Sequence, residues 1–161
     1  MLEFLNISHS YNKQKILNDF SMKLESGEVV SLLGPSGCGK TTLLKLASGI
    51  EKLQNGEIKL NNEIVSSPNI HLNSEKRYVG YVFQDCALFP HLTILQNIFF
   101  GMKSIEIERQ KNKIQSLMKE INISSLSEKY PHELSGGLQQ QVALVRAMAS
   151  DPKIIFLDEP Y

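Results

Sequence analysis

The chain has 161 residues, 42% apolar and 21% charged, and its 17 Lys plus Arg balance 17 Asp plus Glu. That composition supports one folded domain, or one and a fraction; it excludes a nucleic-acid-coating protein, which needs surplus cations, and a disordered acidic tail. Its two cysteines, Cys38 and Cys86, lack CxxC or Cys/His spacing, which argues against a disulfide framework or a structural metal and predicts reduced thiols.

Alternation over residues 2–7 and again over 20–24 predicts two half-buried antiparallel strands. Val29-Val30-Ser31-Leu32-Leu33 is a near-continuous apolar run, the pattern of a strand buried on both faces, and a glycine-rich loop follows it. Residues 42–47 read as a helix stopped by Gly49. Residues 57–60 and 78–83 read as strands, separated by the turn signals Asn61-Asn62 and Ser66-Ser67-Pro68-Asn69. Ile114, Leu117, Met118 and Ile121 have amphipathic-helix spacing, so residues 85–130 read as a helical insert, and Thr93 with Gln96 forms a capping-box pattern that starts a shorter helix near Ile94. Another helix follows Gly137 and ends before Asp151-Pro152. Residues 154–157 read as a buried strand. No apolar run reaches the roughly 20 residues of a membrane-spanning helix, and the N-terminus has no basic stretch followed by an apolar one, so a cytosolic chain is expected.

Three places carry chemistry. Gly34-Pro35-Ser36-Gly37-Cys38-Gly39-Lys40-Thr41 fits G-x-x-x-x-G-K-[ST] between a predicted strand and a predicted helix, the context of a phosphate-binding loop. Its glycines let backbone amides turn toward phosphates, Lys40 reaches the β and γ oxygens, and Thr41, with Thr42 beside it, can place a hydroxyl on Mg²⁺. The strand over residues 154–157 ends in Asp158-Glu159; Asp158 suits Mg²⁺, and Glu159 suits the orientation or deprotonation of an attacking water. Leu134-Ser135-Gly136-Gly137-Leu138 opens a helix with a hydroxyl and free amides, a second anion site.

In their order along the chain the three motifs resemble the ATP-binding cassette of ABC transporters, and the resemblance runs from Tyr11 to Pro160. It implies an α/β fold, a P-loop NTPase core with a mixed sheet and N-terminal antiparallel strands, plus an inserted helical subdomain. Residues 1–84 would form the first part of the core, 85–134 the helical subdomain, and 135–161 the return to the core. It implies ATP and Mg²⁺ as ligands and a homodimer in which the signature, Leu134 to Leu138, contacts γ-phosphate in trans through Ser135 and Gly137. Tyr11 matches the aromatic residue that stacks on adenine, a role suited to an exposed ring. Gln84 matches the glutamine that senses Mg²⁺ and water, for which an amide can donate and accept.

The run Phe89-Pro90-His91-Leu92-Thr93 is similar to cassettes of bacterial solute importers, and it implies a permease contact there, with His91 a surface or packing residue rather than a base. The implied function is an ATPase that drives import through integral membrane permease subunits, served indirectly by a solute-binding protein, at the cytoplasmic face of the membrane and without nucleic acid. Importers of ferric iron, molybdate, sulfate or polyamines share the pattern, with ferric iron first. Leu138 and Gln141 depart from the usual Gln and Arg of the signature, and a lost guanidinium is not a conservative change. The family's interface loop and switch histidine lie past Tyr161, so the sequence resembles the first two thirds of a cassette, and slow turnover by this chain alone is expected. Two alternatives stay open: the cassettes of chromosome maintenance and DNA repair, which carry long heptad repeats absent from the 51 positions between Gln84 and Ser135, and a nucleotide-binding fragment without catalysis.

Overall fold

The computed structural model describes residues 1–159; Pro160, where the resemblance ends, and Tyr161 lie outside the described residues. The chain divides into two compact units, Met1–Arg77 and a second that begins at Tyr78.

In the first unit, β1 (Leu2–Tyr11) and β2 (Gln14–Leu24) form a long hairpin, followed by α1 (Lys40–Ser48), β3 (Asn55–Leu60) and β4 (Glu63–Ser66). The strands make one antiparallel sheet in the order β2-β1-β3-β4. Alternation holds for Leu2 and Phe4 of β1 and changes parity at the irregularity between Phe4 and Ile7, after which Ile7 and His9 are buried; Ile58 and Leu60 of β3 and Leu43 and Leu46 of α1 are buried too. Asn61 and Asn62 both hold positive φ, 49° and 68°, as a two-residue type I′ hairpin demands. That turn signal is therefore real, but it joins β3 to β4, a four-residue strand too short to register as a pattern.

The run Val29 to Leu33 corrects the expectation of a buried strand: it carries no strand assignment, and Val29 and Leu33 are 96% and 92% exposed. An apolar run says that a segment suits burial, whereas a strand exists only when a neighbour completes its hydrogen bonds. No ladder among the described residues includes this run.

Arg77 closes the first unit from within. It is buried, and its guanidinium donates through Nε to Leu72 O at 2.7 Å, through Nη1 to Leu46 O and Ala47 O at 3.0 and 2.9 Å, and through Nη2 to Val65 O and Ser66 Oγ at 3.0 and 2.7 Å. All five N–H donors are thus used, with no carboxylate among the acceptors. Leu46 and Ala47 offer last-turn carbonyls, which have no partner inside a helix and lie at the negative end of its dipole. Burial lowers the guanidinium pKa to about 10, which leaves it charged at neutral pH. Gly49, the left-handed cap of α1, leaves the space that this side chain fills.

In the second unit, β5 (Val79–Val82) and β6 (Ile154–Leu157) pair in parallel, and α2 (Ile94–Phe99), α3 (Ser104–Glu120) and α4 (Gly136–Ala149) lie between them in sequence. The mixed character expected of one sheet is therefore divided between two. Ile94 and Ile98 of α2, Ile114 and Met118 of α3, and Val142 and Val145 of α4 make one apolar cluster. The capping box is present as the spacing predicts: Thr93 Oγ1 accepts from Gln96 N at 3.3 Å, and Gln96 Oε1 accepts from Thr93 N at 2.9 Å. β6 is less buried than expected, because a strand in a two-stranded sheet has one neighbour; Phe156 is buried and Leu157 is exposed.

Replacing Arg77 by Lys leaves three donors where five acceptors converge. We expect this to lower the unfolding free energy by about 2–4 kcal/mol, read as a shift of the urea midpoint at unchanged slope; a midpoint that does not move contradicts the role assigned to Arg77.

Candidate functional site

The glycine-rich loop lies wholly in the first unit and feeds α1. Gly37 and Gly39 hold φ of 81° and 100°, the region that residues with a Cβ avoid. Gly39 is also buried as the cap of α1, where a Cβ would meet Leu17 Cδ2 at 2.9 Å and Ile16 Cγ2 at 3.0 Å. The loop is thereby pressed against the start of β2 at the positive end of α1. Lys40 Nζ donates to Gly34 O at 2.8 Å and Pro35 O at 3.0 Å, and lies 3.9 Å from Cys38 Sγ. An ammonium held by two carbonyls can exchange them for phosphate oxygens, a stronger, charged partner. Pro35, Ser36 and Cys38 are exposed around it, Thr41 is half-buried and Thr42 is buried in the first turn of α1. Tyr11, at the end of β1, belongs to the same unit and presents a half-exposed ring.

In the second unit, the parallel register pairs Val82 with Leu157. The carboxyl ends of both strands therefore emerge side by side, where open α/β sheets place ligands. Phe83-Gln84 leaves one strand and Asp158-Glu159 the other; Gln84 Nε2 donates to Glu159 Oε2 at 2.7 Å. Asp158 is buried and accepts from the Tyr81 hydroxyl at 3.0 Å, while its own N–H donates to Val82 O at 3.0 Å. Burial, and secondarily the Asp158 charge, push the Tyr81 phenol up, so it stays a donor to that carboxylate. Glu159 is exposed and has a positive φ of 48°.

The residues fit Mg²⁺ in one manner. Among the described residues no group of three His, Cys, Asp or Glu could hold a metal, which argues against an all-protein cage. Mg²⁺ takes one or two protein oxygens and completes its shell with phosphates and water; in the second unit the buried Asp158 carboxylate is a hard oxygen donor of that kind, and in the first unit the Thr41 hydroxyl is another.

Ser135 caps α4, its hydroxyl accepting from Leu138 N at 3.5 Å. A Cβ added at Gly136 or Gly137 would meet nothing within 4 Å, and neither has positive φ. Nothing in their own fold requires glycine there, which suits a surface that another group must approach closely. Leu134 is buried; Leu138 packs against the helical cluster and Gln141 is exposed.

A depression of about 360 Å³ in the second unit is lined by Tyr81, Phe83, Phe89, Phe100 and Arg146 among others. The Phe89 and Phe100 rings lie 4.1 Å apart. His91 is exposed, edge-on to Phe89 at 6.1 Å. Sequence reasoning missed what holds this region. Asn97, fully buried, accepts from Phe89 N at 2.8 Å and donates to the carbonyls of Phe89, Leu92 and Thr93 at 3.1, 3.1 and 3.0 Å. Arg146 donates to Ala87 O and Cys86 O, each at 2.7 Å. The legible signal was an amide within the apolar stripe of α2, which has to find internal partners.

The family model described as "ABC transporter" matches residues 17–161. The chain is 42% identical over 163 residues to the Fe(3+) ions import ATP-binding protein FbpC 2 of Haemophilus influenzae, covering 100% of this chain and 46% of that protein. It is 41% identical over 166 residues to the sulfate/thiosulfate import ATP-binding protein CysA of Pseudomonas syringae, covering 99% of this chain and 50% of that protein. It thus spans about half the length of the curated relatives it matches. A dimeric structure of a post-hydrolysis state of the ATP-binding cassette MJ0796, bound to ADP and Pi, superposes with a TM-score of 0.80 at 29% identity, covering 99% of this chain and 74% of that one.

Cys38 sits inside the loop and is exposed as a free thiol. Its alkylation is expected to slow at least about fivefold when Mg-ATP occupies the loop, a level of protection that corresponds to about 1 kcal/mol, read by mass spectrometry of labelled peptides; equal labelling with and without nucleotide contradicts the placement.

Proposed function

The chain belongs to the ABC transporter family, and from that premise we propose that it is the ATP-binding part of a bacterial importer, binding and hydrolysing ATP to drive a solute through membrane permease subunits. The observation that carries this reading is the phosphate loop: two left-handed glycines, a helix N-terminus and a lysine ammonium bound to exchangeable carbonyls in one eight-residue segment. The loop amides and Lys40 hold the β- and γ-phosphates, and Tyr11 stacks on the base. Thr41 and Asp158 are the residues that hold Mg²⁺, which when bound neutralises charge on the transferring phosphoryl group. Glu159 accepts the proton of the attacking water, and the Gln84 amide fixes its orientation through Oε2, leaving Oε1 for the water. Ser135, Gly136 and Gly137 serve the γ-phosphate of a nucleotide held by a second copy, so the working form is a homodimer; the dimeric solved relative supports this.

We place the protein peripherally at the cytoplasmic face of the membrane. Among the described residues no helix is long and apolar enough to cross a membrane, which accords with separate permease subunits. The permease contact is assigned to the depression where Phe89 and Phe100 of the helical insert of residues 85–134 meet Tyr81, Phe83 and Arg146, and the solute-binding protein acts on the permease. An inorganic ion, ferric iron first, is the favoured solute, supported by the relative that imports Fe(3+) ions.

Two results test this reading. Glu159→Gln is expected to keep ATP affinity within about twofold while hydrolysis falls at least about a hundredfold, the scale of a lost general base; undiminished turnover removes Glu159 from the chemistry. Phe89→Glu, which puts a carboxylate into an apolar contact, is expected to abolish co-purification with the permease while sparing ATP binding; unchanged co-purification contradicts the docking assignment.

A further inference from the structure

The half-exposed ring of Tyr11 is tethered at its tip. Its hydroxyl donates to Glu51 Oε2 at 2.5 Å. The other oxygen of the same carboxylate, Glu51 Oε1, accepts from His9 Nε2 at 3.1 Å. His9 is 3% exposed and stands edge-on to Tyr11, with ring centroids 5.0 Å apart and planes at 75°. Its Nδ1 is buried without a hydrogen-bond partner, so the bond to Glu51 is the polar anchor of that ring. Glu51 is fixed in turn, because the N–H groups of Ile50 and Glu51 donate to Lys45 O of α1 at 3.0 and 3.2 Å.

A carboxylate with one oxygen on each of two adjacent rings can do more than close a surface ion pair. Its partners are one buried ring and one ring with a face open to solvent, so it sets the pitch of the open ring. The backbone bonds of Ile50 and Glu51 to Lys45 O tie that ring, through Glu51, to the helix that begins at the phosphate loop. A ring already held in its binding orientation loses less freedom when a ligand stacks on it.

We infer that Glu51, backed by His9, is a positioning residue that presents the Tyr11 ring to the nucleobase. This rests on the proposed reading of Tyr11 as the base-stacking residue. Glu51 touches no part of the nucleotide in this account and acts through Tyr11.

The test compares binding of Mg-ATP with binding of magnesium tripolyphosphate, which has phosphates and no base, by calorimetric titration of the protein and its variants. Tyr11→Ala is expected to weaken ATP about tenfold, the scale of one lost base stack. Glu51→Ala and Tyr11→Phe should each weaken ATP about three- to tenfold, with the double variant no weaker than Glu51→Ala alone. Tripolyphosphate affinity should not move in any of them. Glu51→Gln should restore ATP binding to within about twofold of the parent, since an amide can accept from His9 and donate to the Tyr11 oxygen. Tyr11→Phe leaves the His9 contact intact, so it reads the tether even if Glu51→Ala unfolds. Equal loss of ATP and tripolyphosphate in Glu51→Ala and Tyr11→Phe would reduce Glu51 to a structural residue and overturn the inference. Unchanged ATP affinity in Tyr11→Phe and Glu51→Ala, with Tyr11→Ala still weakened, overturns the positioning role and leaves base stacking standing. Unchanged ATP affinity in Tyr11→Ala overturns both.

Discussion

The buried Arg77 guanidinium is the constraint on which the first unit depends. A fixed charge with no carboxylate partner is tolerable inside a protein only if dipoles surround it, and here backbone carbonyls from α1, β4 and the segment at Leu72 supply them with one hydroxyl. Those acceptors are spread along the chain, so satisfying one side chain fixes the sheet edge against the last turn of the helix. The opposite end of that helix begins at the phosphate loop. The left-handed Gly39 can be pressed onto Ile16 and Leu17 because the helix behind it is already anchored. In this way a C-terminal cap helps to keep the N-terminal amides in place for an anion.

The second unit solves a different problem with parallel pairing. Two short strands in parallel bring their carboxyl ends together, and a glutamine and a glutamate far apart in sequence become hydrogen-bonded neighbours. The helical cluster between them in sequence is held apolar by the isoleucines and valines of α2, α3 and α4, with Asn97 as its polar exception. That amide pairs with backbone groups of Phe89, Leu92 and Thr93, so the half-buried Phe89 ring stands on a loop fixed from within.

Much of this was legible because the chemistry is local. The phosphate loop is one contiguous segment, the capping box spans four residues, and the Asn61-Asn62 turn requires only its own two φ angles. What was not legible depends on partners distant in sequence. Val29 to Leu33 has the composition of a buried strand, yet composition cannot supply the neighbour that completes a ladder. Arg77 reads as part of a polar stretch, since nothing in its local sequence tells that five acceptors converge on it. Glu51 and His9 carry no motif, and their connection to Tyr11 exists only once β1 and the end of α1 are brought together. Asn97 was the intermediate case, an amide on an apolar helical face, visible as an anomaly though not as a solution.

The central claim is that the loop at Gly34 to Thr41 holds the phosphates of ATP through Lys40. It is tested most directly by titrating Mg-ATP into the protein and into its Lys40→Ala variant, with folding of both verified by circular dichroism. The account predicts saturable binding by the parent and at least about a hundredfold weaker binding by the variant, as expected when a charge-assisted contact to phosphate of about 3 kcal/mol is removed. Equal affinity in the two folded proteins would contradict it.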